Sequence, residues 1–477
     1  MFKETDRAEM QAALDAQRRA FTAARPEPLS TRHERLERCA RMLLDHGEHF
    51  ARAMSADFGH RSHEQSMLTD VMPALSLIRY SQKRIKAWSK PEKRHVNFPL
   101  NLLGAKAQVR YEPKGVIGIV APWNFPVGLT MAPLAQAFAA GNRAMLKPSE
   151  FTERTSELMA ELFPKFFAPD EVAVILGGPQ TGQDFCGLAF DHLLFTGATS
   201  IGKHVLHAAA ENLVPVTLEL GGKSPTILGR SADVARAAER IALGKMMNAG
   251  QICLAPDYML VPEDMEQAAI GAVQGSVAQM YPTLLANDDY TSVINRRHRD
   301  RLTGLVEDAV AKGAEAIVVN PGNENFDGSN GNKLPLTILR NVSDDMKVMQ
   351  DEIFGPVLPV RTYRAIDEAI DYINAHGRPL GLYYFGQDAG ERERVLTRTI
   401  SGGVTVNDVI FHVSADDLPF GGIGPSGMGS YHGIEGFREF SHARAVYSQP
   451  KIDLAKIAGL KPPYGAATAR TLKMQIK

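Results

Sequence analysis

The sequence has few cysteines, and their spacing excludes a disulfide framework. Its 477 residues include only Cys39, Cys186 and Cys253, which lie far apart in the chain. A disulfide-stapled or zinc-binding module needs closely spaced cysteine or histidine pairs. We therefore expect three reduced thiols in a cytoplasmic protein, at most one of them reactive, and no bound metal.

The chain also lacks an excess of charge and a long apolar run. Its 53 Lys and Arg residues balance 54 Asp and Glu residues, giving a formal net charge of −1. This balance indicates neither a nucleic acid nor an anionic membrane as partner. The longest apolar stretch, residues 116–123, is interrupted by Gly118 and is too short to span a bilayer. The polar N-terminus has no apolar signal core, which argues against secretion.

The hydrophobic pattern changes after Pro99. Before it, apolar residues recur at three- and four-residue intervals, which predicts helices. The two clearest stripes are Leu36, Cys39, Met42 and Leu43, and then Leu68, Val71, Met72 and Leu75. After it, short β-branched runs alternate with helical stretches, a rhythm typical of βαβ units and a parallel sheet with helices on both faces.

Two α/β regions follow from this alternation. The first predicts strands at 116–120, 144–146, 172–176, 192–195 and 216–218, and helices at 129–140, 155–166 and 200–212. The second begins near Gly221 and predicts strands at 258–261, 316–319, 357–361 and 382–385, and helices at 232–248, 267–280, 299–312 and 366–374. Residues 326–333 predict an exposed loop. Residues 451–477, with six basic residues and one acid, are compatible with a mobile tail or an arm on a partner subunit.

Two motifs resemble known sites but lack essential parts. The run from Gly197 to Lys203 matches a phosphate-binding P-loop, but His204 stands where Ser or Thr must hold Mg²⁺. What remains is a turn that opens a helix, whose N-terminal amides can meet an anion. Asp57-Phe-Gly59 lacks the other kinase motifs, so we interpret it as a chance tripeptide.

Two residues have the character of a nucleophile and a base. Cys253 follows a predicted helix, where a lone cysteine is more often a small buried residue than a nucleophile. Glu219 ends an apolar strand, and burial there would raise its pKa toward the range of a general base. Pairing of Glu219 with Lys223 is the structural alternative.

Polar residues also follow two predicted neighbouring strands. Asn124 lies between two prolines after the strand at 116–120, and Lys147 and Glu150 follow the next strand. The carboxyl ends of parallel strands are where α/β sheets place ligands. We therefore expect a neutral amide donor, an ammonium and a carboxylate at adjacent points of one sheet edge.

Together these motifs resemble the aldehyde dehydrogenase superfamily in order and spacing. They are Asn124, Lys147, Phe195-Thr-Gly197, Glu219-Leu-Gly-Gly222, Cys253, Glu352-Ile-Phe-Gly-Pro356 and Pro419-Phe-Gly-Gly422. The resemblance runs from about residue 116 to residue 446. The stretches 218–225, 253–258 and 427–433 are similar to the class 3 type, and within it to the enzymes that oxidise coniferyl aldehyde.

The resemblance implies an α/β fold with two Rossmann-type parallel-sheet domains and a small bridging β-sheet. It implies an NAD(P)-binding domain at 1–220, in which 106–113 contribute to the bridging sheet, and a catalytic domain at 221–405. Residues 406–477 would return to the cofactor domain and supply a second bridging strand, after Phe440, and the C-terminal tail. In this family the bridging sheet builds a homodimer.

The resemblance also implies the roles of the site residues. Cys253 attacks the aldehyde, the Asn124 amide and the Cys253 backbone N–H hold the oxyanion, and Glu219 activates the water that releases the acid. The expected cofactor contacts are Trp123, Lys147, Ser149, Glu150, Gly197, Ser200, Leu220, Gly221, Glu352 and Phe354. Apolar residues beside the motifs either line a tunnel for a flat or long aldehyde or are ordinary core. They are Phe125, Leu129, Ile252, Leu254 and Phe411.

The expected substrate is coniferyl aldehyde or a similar aromatic or hydrophobic aldehyde, with a medium- or long-chain aliphatic aldehyde as the alternative. A carboxylate at Glu150 accepts hydrogen bonds from a ribose 2′-hydroxyl and repels a 2′-phosphate, so we expect NAD to be preferred and NADP also to be used. Acylating chemistry with coenzyme A conflicts with the presence of Glu219. A non-catalytic binding or structural protein conflicts with the presence of all three catalytic residues.

Overall fold

The chain forms three β-sheets and the helices that cover them. The computed structural model describes residues 4–98, 100–326 and 331–476. Within these residues the strands are β1 (Glu92–Arg94), β2 (Lys106–Pro113), β3 (Val116–Val120), β4 (Arg143–Lys147), β5 (Val172–Val174), β6 (His192–Gly197), β7 (Val216–Leu220), β8 (Pro225–Leu228), β9 (Tyr258–Pro262), β10 (Glu315–Val319), β11 (Leu336–Arg340), β12 (Val357–Tyr363), β13 (Gly381–Phe385), β14 (Gly403–Val406), β15 (Gly427–Met428) and β16 (Ser441–Ser448). The α-helices are α1 (Arg7–Ala23), α2 (Leu29–Phe58), α3 (His63–Ser66), α4 (Met72–Trp88), α5 (Gly128–Ala140), α6 (Glu153–Phe166), α7 (Pro179–Cys186), α8 (Thr199–Ala210), α9 (Val234–Met246), α10 (Glu266–Met280), α11 (Arg296–Ala311), α12 (Lys347–Gln350), α13 (Ile366–Asn374), α14 (Ala389–Arg398), α15 (Gly433–Glu439), α16 (Leu454–Ile457) and α17 (Ala466–Gln475).

The N-terminal region is helical, as its periodicity predicts, but one of the two predicted stripes was wrong in part. Leu68 and Met72 are 57% and 54% exposed, whereas Val71 is buried. Residues Met67–Val71 form a π-helical turn between α3 and α4, and its extra residue rotates the side chains away from the α-helical period. The buried face of α4 consists instead of Ala74, Leu77, Ile78, Ser81, Ile85 and Trp88.

The first large sheet has the order β15-β7-β6-β3-β4-β5, in which only β15 is antiparallel to its neighbour. The chain builds β3, β4 and β5 in one direction and then returns to place β6 on the other side of β3. At such a switch point the loops after the two strands diverge and leave a crevice at their carboxyl ends. The turns after Val120 and Gly197 therefore flank a ready-made ligand site. All five strands predicted in this region are confirmed.

The second large sheet has the order β10-β11-β12-β9-β8-β13-β14 and is parallel except for β10. Its four predicted strands and four predicted helices are confirmed. The sequence pattern missed the short strands β8, β11 and β14 and the helix α14. The chain passes from the first sheet to the second through residues 221–224.

A small antiparallel sheet of β1, β2 and β16 completes the architecture. Its long pair joins β2 to β16 over eight residues, from Ser441 opposite Pro113 to Ser448 opposite Lys106. The two parallel-sheet units and this small sheet confirm the predicted fold class.

Helix α5 lies in the largest core cluster and follows the turn after β3, which contains Asn124. Its residues from Thr130 to Ala140 are all buried, and α2, α4, β3 and β4 pack around it. A helix that is apolar on every side belongs in a core. This packing fixes the helix whose N-terminus follows Asn124.

Two further expectations concern exposed segments. Residues 327–330 of the predicted loop at 326–333 lie outside the described residues. Lys333, however, is buried and donates to the carbonyls of Leu285 and Asn287 at 3.2 and 2.6 Å, so the prediction of exposure was wrong there. None of the helices described here is long and apolar enough to cross a membrane.

Candidate active site

The turn after β3 presents Asn124 at the crevice. Asn124 is buried, and its side-chain amide donates to the Gln251 carbonyl at 3.1 Å. A primary amide has two N–H donors, so this bond orients the group and leaves the second donor for a ligand. The backbone carbonyl of Asn124 accepts from Arg61 at 2.7 Å and from the Asn248 side chain at 3.1 Å. Asn124 is therefore held at both its main chain and its side chain.

Cys253 lies in a strained loop between α9 and β9. Asn248, Ala249 and Gly250 have φ values of 51°, 52° and 72°, a left-handed run that ordinary helices do not contain. A Cβ on Gly250 would lie 2.5 Å from the Gly355 carbonyl oxygen, so only glycine fits there. The Gln251 side chain donates to the carbonyls of Asn248 and Ser292 and accepts from the Ile294 N–H. These contacts set the position of the half-buried Cys253.

Burial raises the pKa of the Cys253 thiol, and the nearby carboxylates of Glu352 and Glu219 raise it further. Cys39 and Cys186 are buried as well, and burial raises the pKa of both thiols. Cys253 is thus the one cysteine of the three that is accessible in part, and its proton must be removed before it reacts.

Glu219 is the penultimate residue of β7 and is buried, with 3% of its surface exposed. Neither of its carboxylate oxygens has a hydrogen-bond partner among the described residues. Burial holds the pKa of Glu219 well above its usual range, and the charge of Glu439 adds to the effect. The alternative pairing with Lys223 does not form, because Lys223 pairs with Asp257. Glu219 therefore has the properties of a general base, because its carboxylate is unpaired and its raised pKa favours the uptake of a proton.

Glu352 lies against the glycine pair that follows β7. A Cβ on Gly221 would lie 1.9 Å from a Glu352 carboxylate oxygen, and the backbone N–H of Gly222 faces the same carboxylate. Burial raises the pKa of Glu352 to about 8, and the charge of Asp257 contributes. Its Oε1 atom is buried without a partner in the described chain. The carboxylate is thus placed to receive a hydroxyl group.

The end of β4 carries a second set of polar groups. Lys147 is buried, its ammonium donates to the Pro148 carbonyl at 2.9 Å, and burial lowers its pKa. The Glu150 carboxylate lies 4.0 Å from this ammonium, with 34% of its side chain exposed. Ser149 is buried, and its hydroxyl accepts from the Phe151 N–H. An ammonium and a carboxylate therefore stand together at this strand end, as expected.

The remaining predicted cofactor residues surround the same edge of the sheet. Gly197 ends β6, Ser200 is exposed in the first turn of α8, and Leu220 is the buried end of β7. The Trp123 ring lies 5.2 Å from the Phe354 ring and 5.2 Å from His298, measured between centroids.

The predicted substrate residues differ in their surroundings. Ile252 and Leu254 belong to the largest core cluster, and Phe125 and Cys253 pack against it. Leu129 is half-buried on the first turn of α5. Phe411 is 54% exposed.

Sequence reasoning missed several residues that hold these groups in place. Arg61 and Asp70 form a buried ion pair beside Asn124. Lys223 and Arg301 donate to carbonyls of the turn that carries Glu352, and Asp257 accepts from the Ile353 N–H at 2.9 Å. A charged residue inside an apolar run was the available signal for Asp70, but its partner is recognisable only in the folded chain.

Known proteins are similar in sequence to nearly the whole chain. The model of the aldehyde dehydrogenase family matches residues 1–446. The chain is 55% identical to the "Probable coniferyl aldehyde dehydrogenase" of Caulobacter vibrioides, covering 99% of this chain and 98% of the relative. It is 51% identical to the coniferyl aldehyde dehydrogenase of a Pseudomonas species, covering 95% of this chain and 94% of the relative.

Solved structures of aldehyde dehydrogenases are similar to this chain in fold. The substrate-bound AldH of Staphylococcus aureus matches with a TM-score of 0.90 at 34% identity, covering 98% of this chain and 99% of that one. A betaine aldehyde dehydrogenase of the same organism, solved as a point mutant with NAD⁺, matches with a TM-score of 0.85 at 28% identity, covering 95% and 92%.

The chain belongs to the aldehyde dehydrogenase family. It is an NAD(P)-dependent enzyme that oxidises an aldehyde to the carboxylic acid by the cysteine thioester chemistry general to this family.

Proposed function

We propose that the enzyme oxidises coniferyl aldehyde or a closely similar aromatic aldehyde, with Cys253, Asn124 and Glu219 as its catalytic residues. The identity of 51% to the Pseudomonas coniferyl aldehyde dehydrogenase supports the substrate. The observation that carries the mechanism is the buried Glu219 carboxylate, whose two oxygens have no partner in the described chain.

In this proposal the Cys253 sulfur attacks the aldehyde carbon after the thiol has lost its proton. The raised pKa of the thiol makes a neighbouring proton acceptor necessary, and Glu219 and Glu352 are the carboxylates that lie near it. The oxyanion that forms receives the free N–H of the Asn124 amide and the backbone N–H of Cys253. Loss of one such donor typically costs about 3–4 kcal/mol of transition-state stabilisation.

Glu219 acts in the second half of the reaction. A carboxylate with a raised pKa removes a proton from water effectively near neutral pH. The resulting hydroxide attacks the thioester carbon and expels the Cys253 thiolate, so the carboxylic acid leaves. Glu219 suits this step because its two carboxylate oxygens are unpaired in the described chain and its charge acts on the Cys253 thiol.

The residues at the sheet edge fit a dinucleotide cofactor. The orphaned Oε1 of Glu352 and the close approach at Gly221 suit a ribose hydroxyl, as do Lys147 and Glu150 at the end of β4. Gly197, Ser200, Ser149, Leu220, Trp123 and Phe354 complete the proposed cofactor contacts. When bound, the cofactor accepts the hydride. We retain the domain limits predicted from the sequence as part of this proposal, with the cofactor bound by the domain at 1–220 and the catalytic domain at 221–405.

The apolar residues near Cys253 support a flat substrate. Phe125 and Cys253 each pack against the core that contains Ile252 and Leu254, and the exposed Phe411 is the outer candidate. Aromatic walls favour planar rings over short aliphatic chains, because stacked rings bury more apolar area.

A panel of aldehydes tests the substrate. The kcat/KM for coniferyl aldehyde should exceed that for hexanal and acetaldehyde, and Phe411→Ala should lower the coniferyl value more than the acetaldehyde value. Leu396→Ala, which alters a comparable exposed apolar residue on α14, should change neither. A higher kcat/KM for hexanal would favour the aliphatic alternative.

We also propose that the enzyme works as a homodimer in the cytoplasm, without a nucleic-acid or membrane partner. The near-zero net charge supports the absence of polyanionic partners. The three unpaired cysteines are compatible with a reducing compartment.

A further inference from the structure

A buried arginine contacts the Asn124 turn from outside the proposed catalytic set. Arg61 follows α2, and its side chain is fully buried. One guanidinium nitrogen donates to the Asn124 backbone carbonyl at 2.7 Å. The guanidinium also lies over the rings of Phe58 and Phe125, at 5.0 and 5.2 Å from their centroids. Arg61 therefore contacts both the main chain of Asn124 and the ring face of the next residue, Phe125.

Asp70, which pairs with Arg61, forms a hydrogen bond at the other end of the same turn. Asp70, in the π-helical turn, accepts from Arg61 at 2.8 Å through one oxygen. Its other oxygen accepts from the backbone N–H of Gly128 at 2.5 Å, at the start of α5. The pair thus connects residues 124 and 128 across the turn and links both to the segment at 61–71, which includes α3 and the π-helical turn.

The same segment reaches the loop that carries Cys253. The Gln65 side chain accepts from the Asn248 backbone N–H at 2.9 Å and donates to the Asn248 side chain at 3.4 Å. Asn248 in turn donates to the carbonyls of Asn124 and Gln251. One short segment therefore holds both the amide donor and the nucleophile loop.

Stability alone does not account for a charged pair at this place. Replacing a buried ion pair by apolar residues is often neutral or stabilising, because the desolvation of two charges offsets their attraction. Here the pair directs hydrogen bonds to two specific backbone groups of the functional turn, which an apolar pair cannot do.

We propose that Arg61, together with Asp70, is a positioning residue that sets the Asn124 amide relative to Cys253. The proposal rests on the proposed role of Asn124 in holding the oxyanion. Displacement of a reacting group by about 1 Å can cost about 10²-fold in rate. In this proposal the ion pair affects catalysis through its hold on the Asn124 turn.

The test uses the double variant Arg61→Met/Asp70→Asn in the full-length enzyme. It leaves no unpaired buried charge and keeps an oxygen that can accept from the Gly128 N–H, so folding should be retained, as circular dichroism and the melting temperature will show. We expect the rate of the first NADH burst to fall at least about tenfold. The KM for NAD should not change, and His63→Ala, an exposed substitution in the same segment, should leave the burst rate unchanged.

Two readouts separate positioning from general loosening of the site. Alkylation of Cys253 by iodoacetamide needs no oxyanion donor, so its rate should be the same in the double variant and in the wild type. In an Asn124→Ala background the double substitution should cause no further loss of burst rate, because its effect passes through Asn124. Arg61→Lys, which retains the charge, should recover part of the rate.

The outcomes are distinct. An unchanged burst rate in the double variant, a parallel fall in alkylation, or a full additional loss in the Asn124→Ala background would overturn the positioning role. An Asn124→Ala enzyme with an unchanged burst rate would instead contradict the proposed function of Asn124 itself.

Discussion

At the scale of single residues, burial and the neighbouring charges set the pH at which the Cys253 thiol reacts. Burial is the main cause of its raised pKa, followed by Glu352 and Glu219, which both disfavour a thiolate. The reactive species is the thiolate. Activity should therefore rise with pH and fall toward acid pH, where the thiol is protonated. The same direction applies to Glu219, whose carboxylate form is needed for hydrolysis.

Glu352→Gln tests this electrostatic account. Removal of a negative charge near the thiol should lower the Cys253 pKa, so the pH profile of alkylation by iodoacetamide in the cofactor-free enzyme should move to lower pH. Asp351→Asn, which alters the exposed neighbouring carboxylate, serves as the control. A Glu352→Gln profile that stays in place or moves to higher pH would refute the role of this charge.

Glu150 decides the choice of cofactor in our account. Its carboxylate lies 4.0 Å from the Lys147 ammonium and is partly exposed. Like charges about 4 Å apart repel by about 1–4 kcal/mol at effective dielectric constants of 80 to 20, which disfavours a 2′-phosphate. We expect kcat/KM to favour NAD over NADP several-fold and Glu150→Ala to narrow the ratio by raising NADP use. The ratio should stay constant in the control Glu153→Ala, and an unchanged ratio in Glu150→Ala would exclude the assignment.

At the scale of elements, Asp57 near the end of α2 caps the N-terminus of another helix, α6. The Asp57 carboxylate accepts from the backbone N–H groups of Arg154 and Thr155 at 2.9 and 3.0 Å and from the Thr155 hydroxyl at 2.7 Å. These are otherwise orphaned donors in the first turn of α6. Asp57 thus has a structural role that the sequence did not reveal, because the helix it caps is distant in sequence, and the match of Asp57-Phe-Gly59 to a kinase motif stays a chance resemblance.

Loss of this cap should weaken the docking of α6. Asp57→Ala should lower the free energy of unfolding by about 1–2 kcal/mol, the range of helix N-caps. Urea unfolding monitored by circular dichroism gives the value. Asp45→Ala, at an exposed position of the same helix, should be neutral, and equal effects of the two substitutions would contradict the capping role.

The helices and strands differ in how well the sequence predicts them. Strands with long β-branched runs, such as 116–120, and the helix at 366–374 were predicted to the residue. The strand Pro225–Leu228 was missed, because its short apolar run begins at a proline, which demotes a strand assignment. The Arg61–Asp70 pair was missed for another reason. Its meaning depends on the Asn124 turn, which is near it only after folding.

At the scale of the whole molecule, the C-terminal segment presents an apolar surface on the single chain. Large apolar side chains of this segment are between 47% and 76% exposed. They are Ile452, Ile457, Leu460, Tyr464, Leu472, Met474 and Ile476. An exposed apolar group of this kind indicates an interface. We therefore expect the segment to pack on a second copy of the chain in the proposed homodimer.

Deletion of residues 451–477 tests this assembly. The truncated enzyme should dissociate to monomers at higher protein concentration than the full chain, as analytical ultracentrifugation will measure, or should show a changed KM for the aldehyde if the segment borders the site. Unchanged dimerisation together with an unchanged KM would show that the segment has neither role.

The whole account depends on the division of work between Cys253 and Glu219, and rapid mixing of enzyme, NAD and coniferyl aldehyde tests it most directly. Glu219→Gln should release about one NADH per site in the first turnover and then turn over at least about 10²-fold more slowly than the wild type, because only hydrolysis of the thioester needs the base. Cys253→Ala should give no burst while it stays folded. Steady-state turnover of Glu219→Gln at the wild-type rate at neutral pH would contradict the account.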